Sequence, residues 1–311
     1  MKTLKSNIAP PVDPIRVGAI EAGGTKIVCS VGASWEEVRD GPKFVVGTKS
    51  PEETMVNVLN WFAARNEEEP LMAFGVASFG PIDFASMSIG QTTPKSLWRG
   101  ISWRAAIEKR FGQIPIGFDT DTNAAILGEW RWGSAVGRNV AAYVTVGTGI
   151  GGGVLVNGIP IHGILHPEFG HMFVPRQSGD TFPGVCPIHG DCLEGLACGP
   201  AVAKRWGQPS AGLPPSHLAW ELESDYLSLA VVNIIMTCSP EVVILGGGVM
   251  SVAGLLNRVR NNTVSKLGGY IPNDELGPDI GNYLRPPGLG RSSGVVGAFA
   301  LGLDAHHSAT S

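Results

Sequence analysis

The sequence predicts an α/β protein of two lobes, and three observations carry the prediction. Its 311 residues exceed what one core comfortably serves and suit two domains of about 100–200 residues each. Strand-like runs alternate with helical ones through the first part of the chain. Between residues 119 and 135 the character changes, and a second hairpin, a loop rich in Cys and His and a long helical section follow. Residues 15–125 are therefore expected to form an N-terminal lobe, residues 126–294 a C-terminal lobe, and residues 1–14 a disordered lead-in.

The elements follow in order. "IRVGAI" leads through "EAGGTK" into "IVCSVG", and an apolar run, a glycine turn and a second apolar run make a β-hairpin. "PEETMVNVLNWFAARNEE" reads as a helix with Pro51 in its first turn, and "NAAILGEWRWG" as a helix closed by Gly133. "AAYVTV", "GTGIGGG" and "VLVNG" repeat the hairpin pattern. "LAWELESDYLSLAVVNIIM" is a long helix whose apolar positions spread round its circumference toward the end, so that end is buried. "EVVIL" runs into "GGGVM" and a helix. "SSGVVGAFALGL" supplies a closing helix, residues 295–306, that packs back on the first lobe.

Composition narrows the function. A net charge of −4 with 16% charged residues gives no electrostatic reason to bind nucleic acid or an anionic membrane, so small-molecule chemistry is expected. The longest apolar run, "LAVVNIIM", has eight residues, against roughly 18 for a membrane span. "MKTLKSNIAPPVDPIR" lacks the apolar stretch of a signal peptide. Five cysteines, an odd number, argue against a disulfide framework and for a reducing, cytoplasmic setting. Glycine, 43 of 311, is about twice the usual ~7%. Its clusters suggest loops that bring backbone against a ligand.

The densest chemistry lies in "HPEFGHMFVPRQSGDTFPGVCPIHGDCLEG", residues 166–195. Cys186, His189 and Cys192 have the spacing C-x2-H-x2-C, which gives a tetrahedral zinc three ligands from one loop. His171, His166 or His162 could complete the set. The alternatives are a disulfide between Cys186 and Cys192 or unlinked surface residues. A loop this short of regular structure gains order from a metal, and four protein ligands leave no open position, so the zinc is structural. Glu168 and Glu194 flank the ligands, and folding the loop round one ion would bring both to one side.

"GTGIGG" fits the dinucleotide fingerprint G-x-G-x-x-G. A strand-like run follows it, however, where that motif opens a helix. It reads instead as a hairpin turn whose backbone N–H groups, with the Thr148 hydroxyl, hold phosphate oxygens, or as a plain tight turn. Two glycine hairpin turns and a strand-to-"GGGV" junction resemble the phosphate and adenosine loops of the sugar kinase, actin and chaperone ATPase superfamily. With "AIEAGGTK", "SFGPID", "TTPKSLW", "FDTDTNAAILGE", "HPEFGH", "CPIHGDCLEG" and "AWELESDY" added, the chain resembles the ROK family of bacterial sugar kinases, in its fructokinase-like branch, over about residues 15–303.

That resemblance implies a two-lobed sugar kinase/actin-like ATPase (ribonuclease H-like) fold with a zinc-stabilised loop, and an ATP-dependent hexose 6-kinase, foremost a fructokinase. A glucokinase, mannokinase or broad hexokinase would use the same machinery. Asp121 is the implied general base, a role consistent with the need for a proton acceptor and in-line positioning in transfer to a hydroxyl. Asp119 suits the plainer role of helix cap, and Thr120 stands where most of the family has Asn. The resemblance implies Gly80, Asn123, Glu168, His171 and Glu194 on the sugar side. For ATP it implies Gly23, Gly24, Thr25, Lys26, Gly147, Thr148, Gly149, Gly246, Gly247 and Gly248. Glu21, where Asp is usual, would reach Mg2+ through water. His171 would join Cys186, His189 and Cys192 on Zn2+, and a homodimer is expected. Repressors of this fold carry a helix-turn-helix domain ahead of the first glycine loop, where 20 residues stand here; neither DNA binding nor a non-catalytic sugar-binding role is expected.

Overall fold

The computed structural model describes residues 15–311; the expected lead-in, residues 1–14, lies outside the described residues. In chain order the strands are β1 (Val17–Ala22), β2 (Lys26–Gly32), β3 (Phe44–Gly47), β4 (Ala73–Ser78), β5 (Ile82–Asp83), β6 (Ser88–Ile89), β7 (Ile116–Thr120), β8 (Val140–Val146), β9 (Ile150–Val156), β10 (Ile159–Pro160), β11 (Val242–Gly246) and β12 (Leu284–Arg285). The helices are α1 (Trp35–Asp40), α2 (Pro51–Glu68), α3 (Trp103–Phe111), α4 (Asp121–Trp132), α5 (Leu193–Ala197), α6 (Gly199–Trp206), α7 (Ala219–Cys238), α8 (Leu255–Leu267), α9 (Ile280–Tyr283) and α10 (Ser293–Thr310).

Both predicted hairpins form, and each seeds a sheet of the same plan. β1 pairs with β2 antiparallel, from Val17 opposite Gly32 to Ala22 opposite Ile27. β3 extends β2, while β4 and then β7 run parallel to β1, giving the order β3-β2-β1-β4-β7. The second sheet, β10-β9-β8-β11-β12, repeats this with β8 and β9 as the hairpin and β11 and β12 parallel to β8. Parallel strands finish on one side of a sheet, and ligands of open α/β sheets bind beyond those carboxyl ends. The two glycine turns, Gly80, Asp121 and the triple glycine after Leu245 all sit at such ends.

Local sequence explains several helix boundaries. Ser50 caps α2 by accepting from the Glu53 N–H, with Pro51 in the first turn, and Gly133 ends α4. Toward the end of α7 Ile234 and Ile235 are buried, but Met236 is 45% exposed, so the apolar pattern is covered on one side and not all round as expected. After "EVVIL" no helix starts directly. Gly247 has φ +95° and Gly254 φ +81°, so a single 3-10 turn, Val249–Ser251, intervenes before α8.

The closing helix α10 packs on β1, β4 and β7 and crosses α4, which in turn rests on β8 and β9. The expected division at residues 125 and 126 lies within α4. Glycine makes the close approach possible: a Cβ on Gly75 would come 1.7 Å from the Ala298 carbonyl oxygen, and one on Gly297 1.8 Å from that of Ala124. Part of the glycine excess therefore serves helix packing and not ligand loops.

Glu129 of α4 is fully buried. Its carboxylate accepts from the N–H groups of Ser134 (2.7 Å), Gly288 (2.9 Å) and Leu289 (3.0 Å) and from the Ser293 hydroxyl (2.7 Å). It thereby fastens α4 to the segment that enters α10. Glu129→Ala would leave four donors without their acceptor, two of them, at Leu289 and Ser293, buried, and the expected loss is about 3 kcal/mol. Urea unfolding should report it as a lower midpoint at unchanged slope.

Candidate active site

The carboxyl ends of both sheets open into one cavity of about 520 Å³. Gly23, Gly24, Thr25 and Lys26 line one wall and Gly147, Thr148 and Gly149 another. The two turns touch through the hydroxyls of Thr25 and Thr148, 2.9 Å apart. Asp121, Gly80, Glu168, His171 and Glu194 face the same space. Residues 173 positions apart in sequence, from Glu21 to Glu194, are thus brought to one cleft.

Asp121 opens α4, whose cap is Thr120: its hydroxyl accepts from the Asn123 N–H at 3.1 Å. Asp119, expected to be the cap, is occupied otherwise. Its carboxylate accepts from the Thr120 N–H (2.7 Å) and the Asn123 side-chain amide (2.8 Å) and meets His162 Nε2 at 2.9 Å. Asn123 is fully buried in that network and lines neither cavity described here. The Asn123 side-chain nitrogen meets Asp119 and His162, while its Oδ1 is buried without a partner.

Burial pushes the Asp121 carboxyl up to about 6. Glu21 is raised to about 7, first by burial and then by Asp121, while Lys26 opposes the shift. The Val295 N–H, in the first turn of α10, bonds to Glu21 and also favours its ionised form. Glu168 is raised to about 7 by burial and by Glu194 and Asp121, so these three carboxylates feel one another across the cavity. Glu21 and Asp121 titrate higher folded than their unfolded values of 4.5 and 3.8. Between roughly pH 4 and 7 the folded chain then holds more protons than the unfolded one, and this stabilisation is lost as pH rises. Ligand-free protein is expected to melt at lower temperature at pH 8 than at pH 5.5, and Glu21→Gln to flatten the difference in a thermal scan.

Behind Glu168 and Glu194 lies a cluster of His171, Cys186, His189 and Cys192, with one ligand atom from each within 4.8 Å of the others. His171 Nδ1 is 3.8 Å from Cys186 Sγ and 3.5 Å from Cys192 Sγ, and His189 Nδ1 is 3.8 Å from Cys186 Sγ. A tetrahedral zinc with bonds of about 2.0–2.1 Å to nitrogen and 2.3 Å to sulfur sets N and S about 3.5 Å apart, so the cluster fits that ion. The thiols are unbridged, which removes the disulfide reading. His166 and His162 stand outside the cluster.

The metal loop is fastened to the second glycine turn. Glu194, two residues beyond Cys192, accepts from the Ile150 N–H at 2.8 Å. A Cβ on Gly149 would come 2.5 Å from the same carboxylate, so a side chain there would have to displace Glu194 from this position. A second cavity of about 470 Å³ shares Gly147 and Thr148 and is walled by Gly199, Pro200, Ala203, Pro209, Ser210, Gly248 and Val249. Gly248 reaches it. Gly246 does not: it is buried, and a Cβ there would meet Tyr143 and Pro287. Gly247 is exposed at its positive φ.

Among the cleft residues not expected there from sequence are His166 and Lys95. His166, read in the sequence only as a candidate ligand, is buried and lines the cavity. Its Nδ1 lies 3.4 Å from Glu168 Oε1, and a Cβ on Gly80 would come within 3.1 Å of its ring. Lys95 also lines the cavity and donates to the Thr48 hydroxyl at 2.7 Å. "TTPKSLW" marked likeness but not function.

Comparison with known proteins agrees with this arrangement. The family model described as ROK family matches residues 17–305. The chain is 40% identical over 299 residues to a fructokinase of Zymomonas mobilis subsp. mobilis, covering 93% of this chain and 97% of that one. It is 38% identical over 289 residues to a fructokinase of Pediococcus pentosaceus, covering 92% and 96%. A solved ROK hexokinase from Thermus thermophilus superposes with a TM-score of 0.72 at 26% identity, covering 94% of this chain and 100% of that one.

Proposed function

The chain belongs to the ROK family, and from that premise we propose that it is an ATP-dependent hexose 6-kinase whose preferred acceptor is fructose. The observation that carries the reading is the position of Asp121, which shares one cavity with Glu168, His171 and Glu194 and with both glycine turns. The fructokinase names of relatives at 36–40% identity support the choice of sugar.

In this reading Asp121 accepts the proton of the sugar 6-hydroxyl. The freed oxygen bonds to the γ-phosphorus as the bond from that phosphorus to the ADP oxygen breaks. Gly80, Glu168, His171 and Glu194 hold the ring. Thr25, Thr148 and the N–H groups of both turns hold phosphate oxygens, and the second cavity takes the adenosine. Mg2+ would arrive with ATP, and Glu21 would meet its bound water. His171, Cys186, His189 and Cys192 would hold Zn2+, whose part is to stiffen the loop. The two sheets with their helices act as lobes that close and exclude water.

The five unbridged cysteines support a cytoplasmic setting, and no helix among the described residues is long and apolar enough to cross a membrane. Exposed Phe173 and Ile188 offer apolar surface for a homodimer, which light scattering would test. The reading as a whole is tested by ADP release against fructose, mannose and glucose. Fructose should give the highest kcat/KM; preference for glucose or mannose would reassign the sugar, and no ADP with any hexose would sink the reading.

A further inference from the structure

Six charged side chains that line the main cavity set its electrostatics: the carboxylates of Glu21, Asp121, Glu168 and Glu194 and the ammonium groups of Lys26 and Lys95. ATP brings several more negative charges into that space. Lys26 acts electrostatically on Glu21. Lys95 makes no ion pair with any carboxylate among the described residues. An ammonium drawn partly out of water, without an anionic partner, facing a phosphate site, is poised for an anion from outside.

Its placement is fixed by the first glycine turn. Lys95 Nζ donates to Thr48 Oγ1 at 2.7 Å, and Thr48 Oγ1 donates to the Gly24 carbonyl at 3.0 Å. The Thr48 N–H bonds to the Thr25 carbonyl at 3.2 Å, and the Trp98 indole N–H to the Thr48 carbonyl at 3.1 Å. Lys95 Nζ lies over the Phe79 ring, 5.6 Å from its centre, and Phe79 precedes Gly80. A Cβ on Gly24 would be 3.9 Å from Lys95 Cε. The ammonium thus stands between the turn that holds phosphate and the strand end that holds sugar. This also explains the spacing in "TTPKSLW": Trp98 fixes Thr48, which aims Lys95.

We propose that Lys95 is a catalytic residue, its ammonium binding the phosphoryl group in transit from ATP to the sugar oxygen and then holding it on the hexose 6-phosphate product. The inference rests on the kinase reading above. Lys95 keeps its protons throughout; the bond to the ADP oxygen breaks, the bond to the sugar oxygen forms, and the hydroxyl proton goes to Asp121. Such a group strengthens its contact as charge spreads over the moving phosphoryl oxygens, so it acts on kcat more than on hexose binding.

The test is steady-state kinetics with ATP and hexose, beside calorimetric titration of hexose and of hexose 6-phosphate, on wild type, Lys95→Met and Lys95→Arg. Lys95→Met is expected to lower kcat about a hundredfold. Its affinity for hexose 6-phosphate should fall about tenfold while hexose affinity stays within about threefold. Lys95→Arg should recover kcat to within about tenfold of wild type, since the charge remains but its shape changes. A Lys95→Met kcat within about threefold of wild type, or equal weakening of both sugars, overturns the proposal. Should Lys95→Met fail to fold, Thr48→Val retains the lysine and frees it from its anchor; unchanged kcat and unchanged 6-phosphate affinity would then overturn the proposal, and a drop in both would support it. Wild-type protein that transfers no phosphate sinks the kinase reading itself, a result distinct from an active wild type with an indifferent Lys95.

Discussion

Asp121→Asn is expected to lower the kcat of hexose phosphorylation about a thousandfold and to leave the hexose KM within about threefold. Asparagine keeps the shape and the position at the start of α4, where Thr120 supplies the cap independently, so the fold should be undisturbed. What is lost is the capacity to take a proton. The same group predicts the pH profile. Burial holds Asp121 near 6 in the free protein, and a general base works ionised, so kcat/KM should rise with pH through about 6 and level off above it. With Mg2+ and ATP bound, the nearby cation favours the carboxylate, and the limb of the kcat profile should lie at lower pH. A loss under tenfold in Asp121→Asn, or a profile flat from pH 5 to 8, would remove Asp121 from the role.

Much of this site was legible in the chain because its parts are local. Both glycine turns lie between two strand-like runs, and a hairpin is set by a few adjacent residues. The same holds for the start of α2, which Pro51 marks in its first turn. Cys186, His189 and Cys192 share one short loop, so their spacing alone suggested a metal. The fold class emerged from the same local runs and, for its two-lobed form, from the resemblance of the motifs.

What escaped depends on contacts between distant residues. Asp119 looked like the cap, yet its carboxylate is claimed by His162, which stands 43 positions away. Nothing near Asp119 announces that partner. Lys95 received no role because its meaning comes from Thr48 and the first glycine turn, 47 positions and more upstream. Gly75 and Gly297 gave no sign of a packing role, which comes from α10 pressing against β4 and α4. His166 shows the converse error: proximity in sequence suggested a metal ligand, whereas the fold turned its ring to Gly80 and Glu168.

The second large effect is expected from Cys192→Ser, because Cys192 belongs to the metal cluster and stands at the start of the helix that carries Glu194. It supplies a ligand atom 3.5 Å from His171 Nδ1, serves as N-cap residue of α5, and is followed two residues later by Glu194. Glu194 bonds to the Ile150 N–H beside the second glycine turn. A serine hydroxyl does not replace a thiolate on zinc, so metal content should fall from near one per chain in the native protein to near zero. With the loop released, Glu168, His171 and Glu194 lose their common frame, and the hexose KM is expected to rise about tenfold or more. Most of the core of that half, including Val144, Val154, Tyr226, Val231 and Val243, comes from strands and helices outside the loop, which adds Val174 and Leu193 to it. Far-UV circular dichroism should therefore remain near wild type while sugar binding weakens. Treating native protein with a chelator should reproduce the variant, and zinc-free native protein that binds hexose normally would show that the cluster does not organise the site.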